Sequence, residues 1–201
     1  FRLGRWWYLA IVLIVVAGTG GQILVIWALG QTFDFRLFLT QLGSAVPLIV
    51  LGPLSEELGW RGYALDRLLD SWSAFSSSLC VGVAWGLWHL PLFFMVGTSQ
   101  YELQVPFWSY LIGPVALSFV FTWLYVNTGR SIWSAVFFHW LYTYSAQVVF
   151  TGVERTPLYN TLEYVPYLVA ATVVVLVSGP RRWFGKPSVV DRTSGEQVHK
   201  V

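Results

Sequence analysis

With one cysteine in 201 residues, the chain cannot close an intrachain disulfide or build a thiolate cluster around a metal. That residue, Cys80, sits in an apolar run, where a small packing side chain is expected. Charge is scarce too: 11% of the residues are Asp, Glu, Lys or Arg, against roughly 25% in an ordinary soluble domain. The formal net charge is only +2, and no basic stripe could follow a phosphate backbone, so nucleic acid is not an expected partner. What is abundant is apolar surface. Hydrophobic residues make up 56% of the chain, with Trp 12, Tyr 10 and Phe 14, too much for the polar residues to coat. Lipid is the expected solvent. The chain opens at Phe1 without a methionine, which leaves room for further N-terminal helices. Its first apolar stretch is too long for a signal peptide and lacks the small-residue cleavage pattern.

A hydrocarbon layer of about 30 Å takes about 20 helical residues. Six apolar runs of about that size predict an all-α polytopic bundle, at 6–29, 35–54, 74–96, 106–126, 132–150 and 164–178. With the N-terminus inside, the cytosolic side collects Arg2, Arg5, Arg61, Arg67, Arg130, Arg181, Arg182, Lys186, Arg192 and Lys200, and the outer loops hold Arg36 and Arg155. The positive-inside rule then places both termini in the cytosol. The expected location is a bacterial cytoplasmic membrane. Trp6-Trp7-Tyr8 and Trp183-Phe184 fit interfacial belts. One membrane domain, 1–180, is followed by a basic and polar tail, 181–201, read as disordered from Pro187 onward.

Ionisable residues inside an apolar chain carry most of the information, because each costs free energy unless it meets a partner or a cavity. In Ser55-Glu56-Glu57-Leu58-Gly59-Trp60-Arg61, at the expected cytosolic end of the second span, Glu57 and Arg61 stand at i, i+4 and should pair. Glu56 is turned about 100° away and is left available for chemistry. The bland reading is a charged helix end among the headgroups. In Trp85-Gly86-Leu87-Trp88-His89-Leu90-Pro91, Trp85 and His89 share a face and Pro91 is expected to kink the helix. Gly82 and Gly86 invite close approach of another helix. In the fifth span, His139 and Thr143 share a face. Each histidine alone could be a simple interhelical hydrogen-bonder, Thr143 could bond back to its own helix, and His199 in the tail reads as a solvated bystander. One acidic pair and two histidines on three spans are most economically explained by convergence on one wet cavity.

A carboxylate and an imidazole around a confined water form a general-base arrangement for hydrolysis. A second imidazole opposite could stabilise the oxyanion, worth roughly 3–4 kcal/mol per well-placed donor. Two other readings use the same residues: an inactive scaffold or chaperone, and a proton-coupled carrier, since Glu and His also build proton relays.

Glu56-Glu57-xxx-Arg61, Trp85-xxx-His89 and His139-xxx-Thr143, in this order on successive spans, resemble the three motifs of the CPBP intramembrane proteases, the CAAX protease and bacteriocin-processing (Abi) family. Gly59-Trp60-Arg61-Gly62-Tyr63 and Ser131-Ile132-Trp133 extend the likeness, which covers roughly 46–150. The resemblance implies an intramembrane endopeptidase with a fold like that of the Ras-converting CAAX endopeptidase. It implies Glu56 as general base, His89 as a holder of the water, His139 as oxyanion donor, and Glu57 and Arg61 as residues that shape the site. The chain departs from the family pattern at Trp85, where the family has phenylalanine, and at Thr143, where it has asparagine or aspartate. Thr143 keeps a hydroxyl but has shorter reach and no amide. The family name also suggests a metalloprotease, and Zn²⁺ on Glu56, His89 and His139 is chemically reasonable. With no HExxH present, a metal-free glutamate mechanism is expected. Expected partners are the bilayer and a peptide or membrane-protein substrate, either prenylated or of leader type. Oligomeric state is not legible in the sequence.

Overall fold

A computed structural model describes residues 3–32, 35–41, 46–149, 153–154 and 156–185. Among the described residues, every regular element is helical. In chain order these are α1 (Arg5–Ala28), α2 (Phe35–Gln41), α3 (Val46–Gly59), a π-helical turn (Trp60–Leu65), α4 (Asp66–Leu68), α5 (Ala74–Trp88), a 3₁₀ turn (Leu90–Phe93), α6 (Ser99–Glu102), α7 (Phe107–Asn127), α8 (Ile132–Val149), α9 (Pro157–Leu162), α10 (Val165–Ser178) and α11 (Pro180–Phe184). Among the described residues, three segments are long and apolar enough to cross a membrane: Arg5–Ala28, Phe107–Asn127 and Pro157–Ser178.

α7 is the centre of the bundle. Of its most apolar stretch 67% is buried, against 22% for α1 and 28% for the segment ending in α10. Leu117, Val120, Phe121 and Leu124 on α7 anchor the main apolar core. The outer helices turn large side chains such as Leu13, Val16, Leu24, Leu176 and Val177 outward. In water these would form aggregating patches; in lipid they are solvated. This is the surface of an integral membrane protein.

α5 packs directly on α7. A Cβ added to Gly82 would lie 2.7 Å from the Cα of Val115, and one at Gly86 would lie 2.4 Å from Cδ1 of Leu111. Only glycine lets the two backbones approach this closely, so the packing reading of Gly82 and Gly86 holds.

The second and third expected spans need correction. Among the described residues, α2 covers part of the run expected over 35–54, and the helical run that begins at Val46 does not stop at Leu54 but continues unbroken to Leu68. Glu56 and Glu57 therefore lie in the middle of a helical run rather than at its end. The helix continues through its charges because they are paired inside the bundle, and Arg61 is fully buried rather than a loop cation. Pro53, Glu57, Arg61, Leu65 and Leu69 form one buried line at intervals of four. In a regular α-helix each such step drifts by about 40°. The wider π turn, closing hydrogen bonds at i+5, takes up that drift and keeps the line facing inward. α5 ends at Trp88, so Pro91 terminates the helix instead of kinking it: the proline sits in the following 3₁₀ turn, and His89 becomes the helix C-cap.

Two smaller expectations also change. Cys80 is exposed, not packed, because it points away from the α5–α7 seam. Trp183, placed among the interfacial aromatics, is 2% exposed and stacks near Phe119 at 5.5 Å. α11 thus folds the first residues of the expected tail onto the bundle. Arg2, Arg155, Lys186, Arg192, His199, Lys200 and the tail from Pro187 lie outside the described residues.

Candidate active site

Glu57, on α3, and His139, on α8, are far apart in sequence and meet inside the bundle. Oε1 of Glu57 accepts from Nη1 of Arg61 at 2.8 Å and from Nδ1 of His139 at 2.7 Å. An ionised carboxylate can only accept, so His139 Nδ1 is the donor in this contact. Glu57 and Arg61 are both 0% exposed. The guanidinium lies 3.7 Å from the Phe121 ring centre and 4.8 Å from that of Trp85, and its Nη2 reaches Ser118 Oγ at 3.4 Å. Two aromatic faces and one carboxylate thus stand in for water around a buried cation.

Glu56 has a different environment. It is half-buried, and its Oε2 accepts from Trp85 Nε1 at 2.8 Å. The same tryptophan holds His89, whose Nδ1 lies 2.8 Å from the Trp85 carbonyl oxygen. A carbonyl accepts only, so Nδ1 carries the proton and Nε2 presents its lone pair. The Trp85 ring stands 5.9 Å from the His89 ring and 5.4 Å from the His139 ring, both edge to face. Glu56, His89 and His139 therefore surround one indole. Trp85 connects them through its N–H, its carbonyl and its face.

The expected pairing of Glu57 with Arg61 is present, and Glu56 is the carboxylate left outside that pair. Ser118, Phe121 and Tyr110, whose ring is 5.5 Å from that of His89, were not expected at the site. Ser118 left a weak trace in the sequence, a small hydroxyl within an apolar helix; the two aromatic residues left none among so many. The Trp85 indole N–H could have been flagged, because a buried indole donor requires an acceptor.

All of this lies within one homologous region. The sequence model of the family "Type II CAAX prenyl endopeptidase Rce1-like" matches residues 4–145. The chain belongs to the Rce1-like family. It is also 33% identical over 132 residues to CAAX prenyl protease 2 of Methanococcus maripaludis, a match covering 64% of this chain and 48% of that protein. The chain thus spans about half the length of this curated relative.

Every candidate site residue, from Glu56 to Thr143, falls inside the match, and α9, α10 and α11 lie beyond it. Thr143 sits one turn beyond His139, half-buried, with no side-chain hydrogen bond to another described residue. Glu56, His89 and His139 are the residues that would hold a Zn²⁺ ion if one were used; among the described residues, no three His, Cys, Asp or Glu side chains are grouped closely enough to hold one ion. His139 Nδ1 is committed to Glu57 and His89 Nδ1 to a backbone carbonyl.

Proposed function

We propose that the chain is the catalytic core of an intramembrane endopeptidase that cleaves a prenylated CAAX-type peptide by a glutamate-activated water. The observation that carries this reading is the wiring through Trp85, which holds one carboxylate and one imidazole as neighbouring acceptors. Glu56, with Oε2 anchored by the indole, keeps Oε1 for the water. His89 offers Nε2 to the water's second proton. With both protons held, the oxygen lone pair faces the scissile carbonyl. As the C–O bond forms, Glu56 takes one proton and the carbonyl becomes an oxyanion. Glu56 then returns the proton to the leaving amine as the C–N bond breaks.

His139 is the proposed oxyanion donor. Donation through Nε2 uses a ring protonated at both nitrogens, and the Glu57 carboxylate that accepts from Nδ1 fixes the ring's orientation. Thr143 Oγ is a candidate second donor. The substrate class comes from the name of the curated relative; the mechanism uses only this chain's side chains.

The test uses purified protein in lipid nanodiscs with an internally quenched peptide, in prenylated and unprenylated forms, with and without chelator. The wild type cleaves the prenylated peptide, chelator changes the rate little, and Glu56→Gln lowers kcat by about 10²–10⁴. Cleavage at the wild-type rate by Glu56→Gln would remove glutamate from the mechanism. If the wild type binds the peptide without cutting it, the scaffold reading gains; pH-dependent flux lost in the same variant favours a carrier.

A further inference from the structure

The mechanism leaves unused a cavity of about 170 Å³ whose wall includes Tyr110, the residue packed against His89. Tyr142, Tyr164 and Tyr167 line it with Gln22 and Glu163. Tyr142 and Tyr167 meet edge to face at 5.2 Å, so the rings form a folded aromatic wall rather than one stack. Gln22 comes from the second half of α1, a mostly apolar helix, and is 1% exposed. Its Oε1 is buried with no hydrogen-bond partner. An amide oxygen so placed costs free energy unless a donor arrives from outside the fold. Glu163, nearly fully buried, adds a carboxylate to the same wall.

These groups select one kind of ligand. Tyrosine faces attract cations, a carboxylate repels anions, and an unanswered amide oxygen asks for an N–H or O–H donor. A neutral apolar group would leave Gln22 unsatisfied. The volume equals roughly five or six waters at about 30 Å³ each, room for the end of one side chain.

We propose that this cavity is a specificity subsite that takes the ammonium or guanidinium of a Lys or Arg side chain of the peptide substrate. The assignment rests on the endopeptidase reading. The His89 and Tyr110 ring centres are 5.5 Å apart. An extended peptide advances about 3.3–3.6 Å per residue, which places the basic residue within about three positions of the cleaved bond.

The experiment compares prenylated peptides carrying Lys, Arg, norleucine or Glu at each of those positions. The wild type should cleave the Lys and Arg peptides at least tenfold better in kcat/KM than the norleucine peptide at one position. Glu163→Gln and Gln22→Leu should each reduce that ratio below about threefold. The ratio is internal to each variant, so a loss of folded protein cancels. No preference at any position, or a preference that survives both substitutions, overturns the subsite.

A binding arm needs no proteolysis. n-Butylammonium should raise the unfolding midpoint of the wild type more than n-butanol does, and Glu163→Gln should lose the difference. If no peptide is cut yet this difference appears, the cavity's cation selectivity stands and the endopeptidase reading falls. If peptides are cut with neither preference nor shift, the subsite falls alone. Loss of the lysine preference in proportion to phosphatidylethanolamine in the nanodisc would assign the cavity to a lipid headgroup and overturn the peptide assignment.

Discussion

Two adjacent glutamates invite one decisive comparison, Glu56→Gln against Glu57→Gln. Both swaps keep side-chain shape and remove one negative charge. At position 57 the lost charge faces Arg61 at 2.8 Å, with both groups fully buried. At an effective dielectric constant near 20, unit charges about 4 Å apart interact by about 4 kcal/mol. Removing one partner of such a pair typically costs about 3–5 kcal/mol, because the other charge stays buried and unmatched. Glu57→Gln should therefore destabilise the fold by about 3–5 kcal/mol. It also weakens the His139 anchor, a charge-assisted hydrogen bond worth about 1.5–3 kcal/mol, so kcat of the folded fraction should drop by about 10- to 100-fold. At position 56 the glutamine oxygen can still accept from Trp85 Nε1, and the group is only half-buried. Its stability change should stay within about 1 kcal/mol, while kcat falls by about 10²–10⁴. The assays are unfolding by denaturing detergent in mixed micelles and single-turnover cleavage of the quenched peptide. Adding Arg61→Met to Glu57→Gln removes both charges, and the double variant should be at least about 2 kcal/mol more stable than the sum of the single effects. Additive losses in that cycle, or a Glu56→Gln protein less stable than Glu57→Gln, would refute the assignment of the two carboxylates.

Trp85→Phe keeps a ring between the histidines but removes the donor to Glu56 Oε2; kcat/KM should fall about tenfold, the low end for a hydrogen bond to a charged group, and the fold should lose about 1–3 kcal/mol in the same unfolding assay. Gly82→Val forces atoms against the α7 backbone and should cost about 1–3 kcal/mol, whereas Gly20→Ala, whose Cβ would meet nothing within 4 Å, should be neutral or stabilising by up to about 1 kcal/mol in the same unfolding assay. Thr143→Asn lengthens the reach of the second oxyanion donor, and kcat on the quenched peptide should rise about tenfold, a fraction of the 10²–10³ that one such donor is worth; an unchanged kcat would remove Thr143 from the site.

The bundle's later helices were legible almost to the residue. The apolar run predicted over 106–126 is the helix Phe107–Asn127, and the run over 132–150 is Ile132–Val149. Both are bounded by local signals, a proline at one start and the Gly129-Arg130 turn between them, where both residues adopt positive φ. The end of the run over 35–54 was misplaced for a physical reason. A hydropathy window treats Glu56, Glu57 and Arg61 as the polar end of a span. It cannot see that Arg61 will neutralise Glu57 and shelter against Phe121, so that the helix passes through the charges. The same blindness concealed the partner of His139. Spacing along one helix identified the Glu57–Arg61 pair, but that His139 shares Glu57 Oε1 is a relation between α3 and α8, set by how the bundle closes.

That relation bears on why a membrane bundle would keep a buried ion pair. As a source of stability it is a poor choice, since well-packed apolar residues of similar volume are often as good or better. What the pair supplies is position. The guanidinium holds Glu57 Oε1 where His139 Nδ1 meets it, and the aromatic faces of Phe121 and Trp85 hold the guanidinium. Trp85 in turn holds Glu56 and His89. Arg61 and Trp85 thus couple the three reactive side chains to the inward line of the α3 run and to the glycine seam of α5 on α7. If the charged pair works by positioning His139, replacing both members with apolar residues should leave a stable protein whose kcat is impaired. That combination separates a positioning role from a merely structural one.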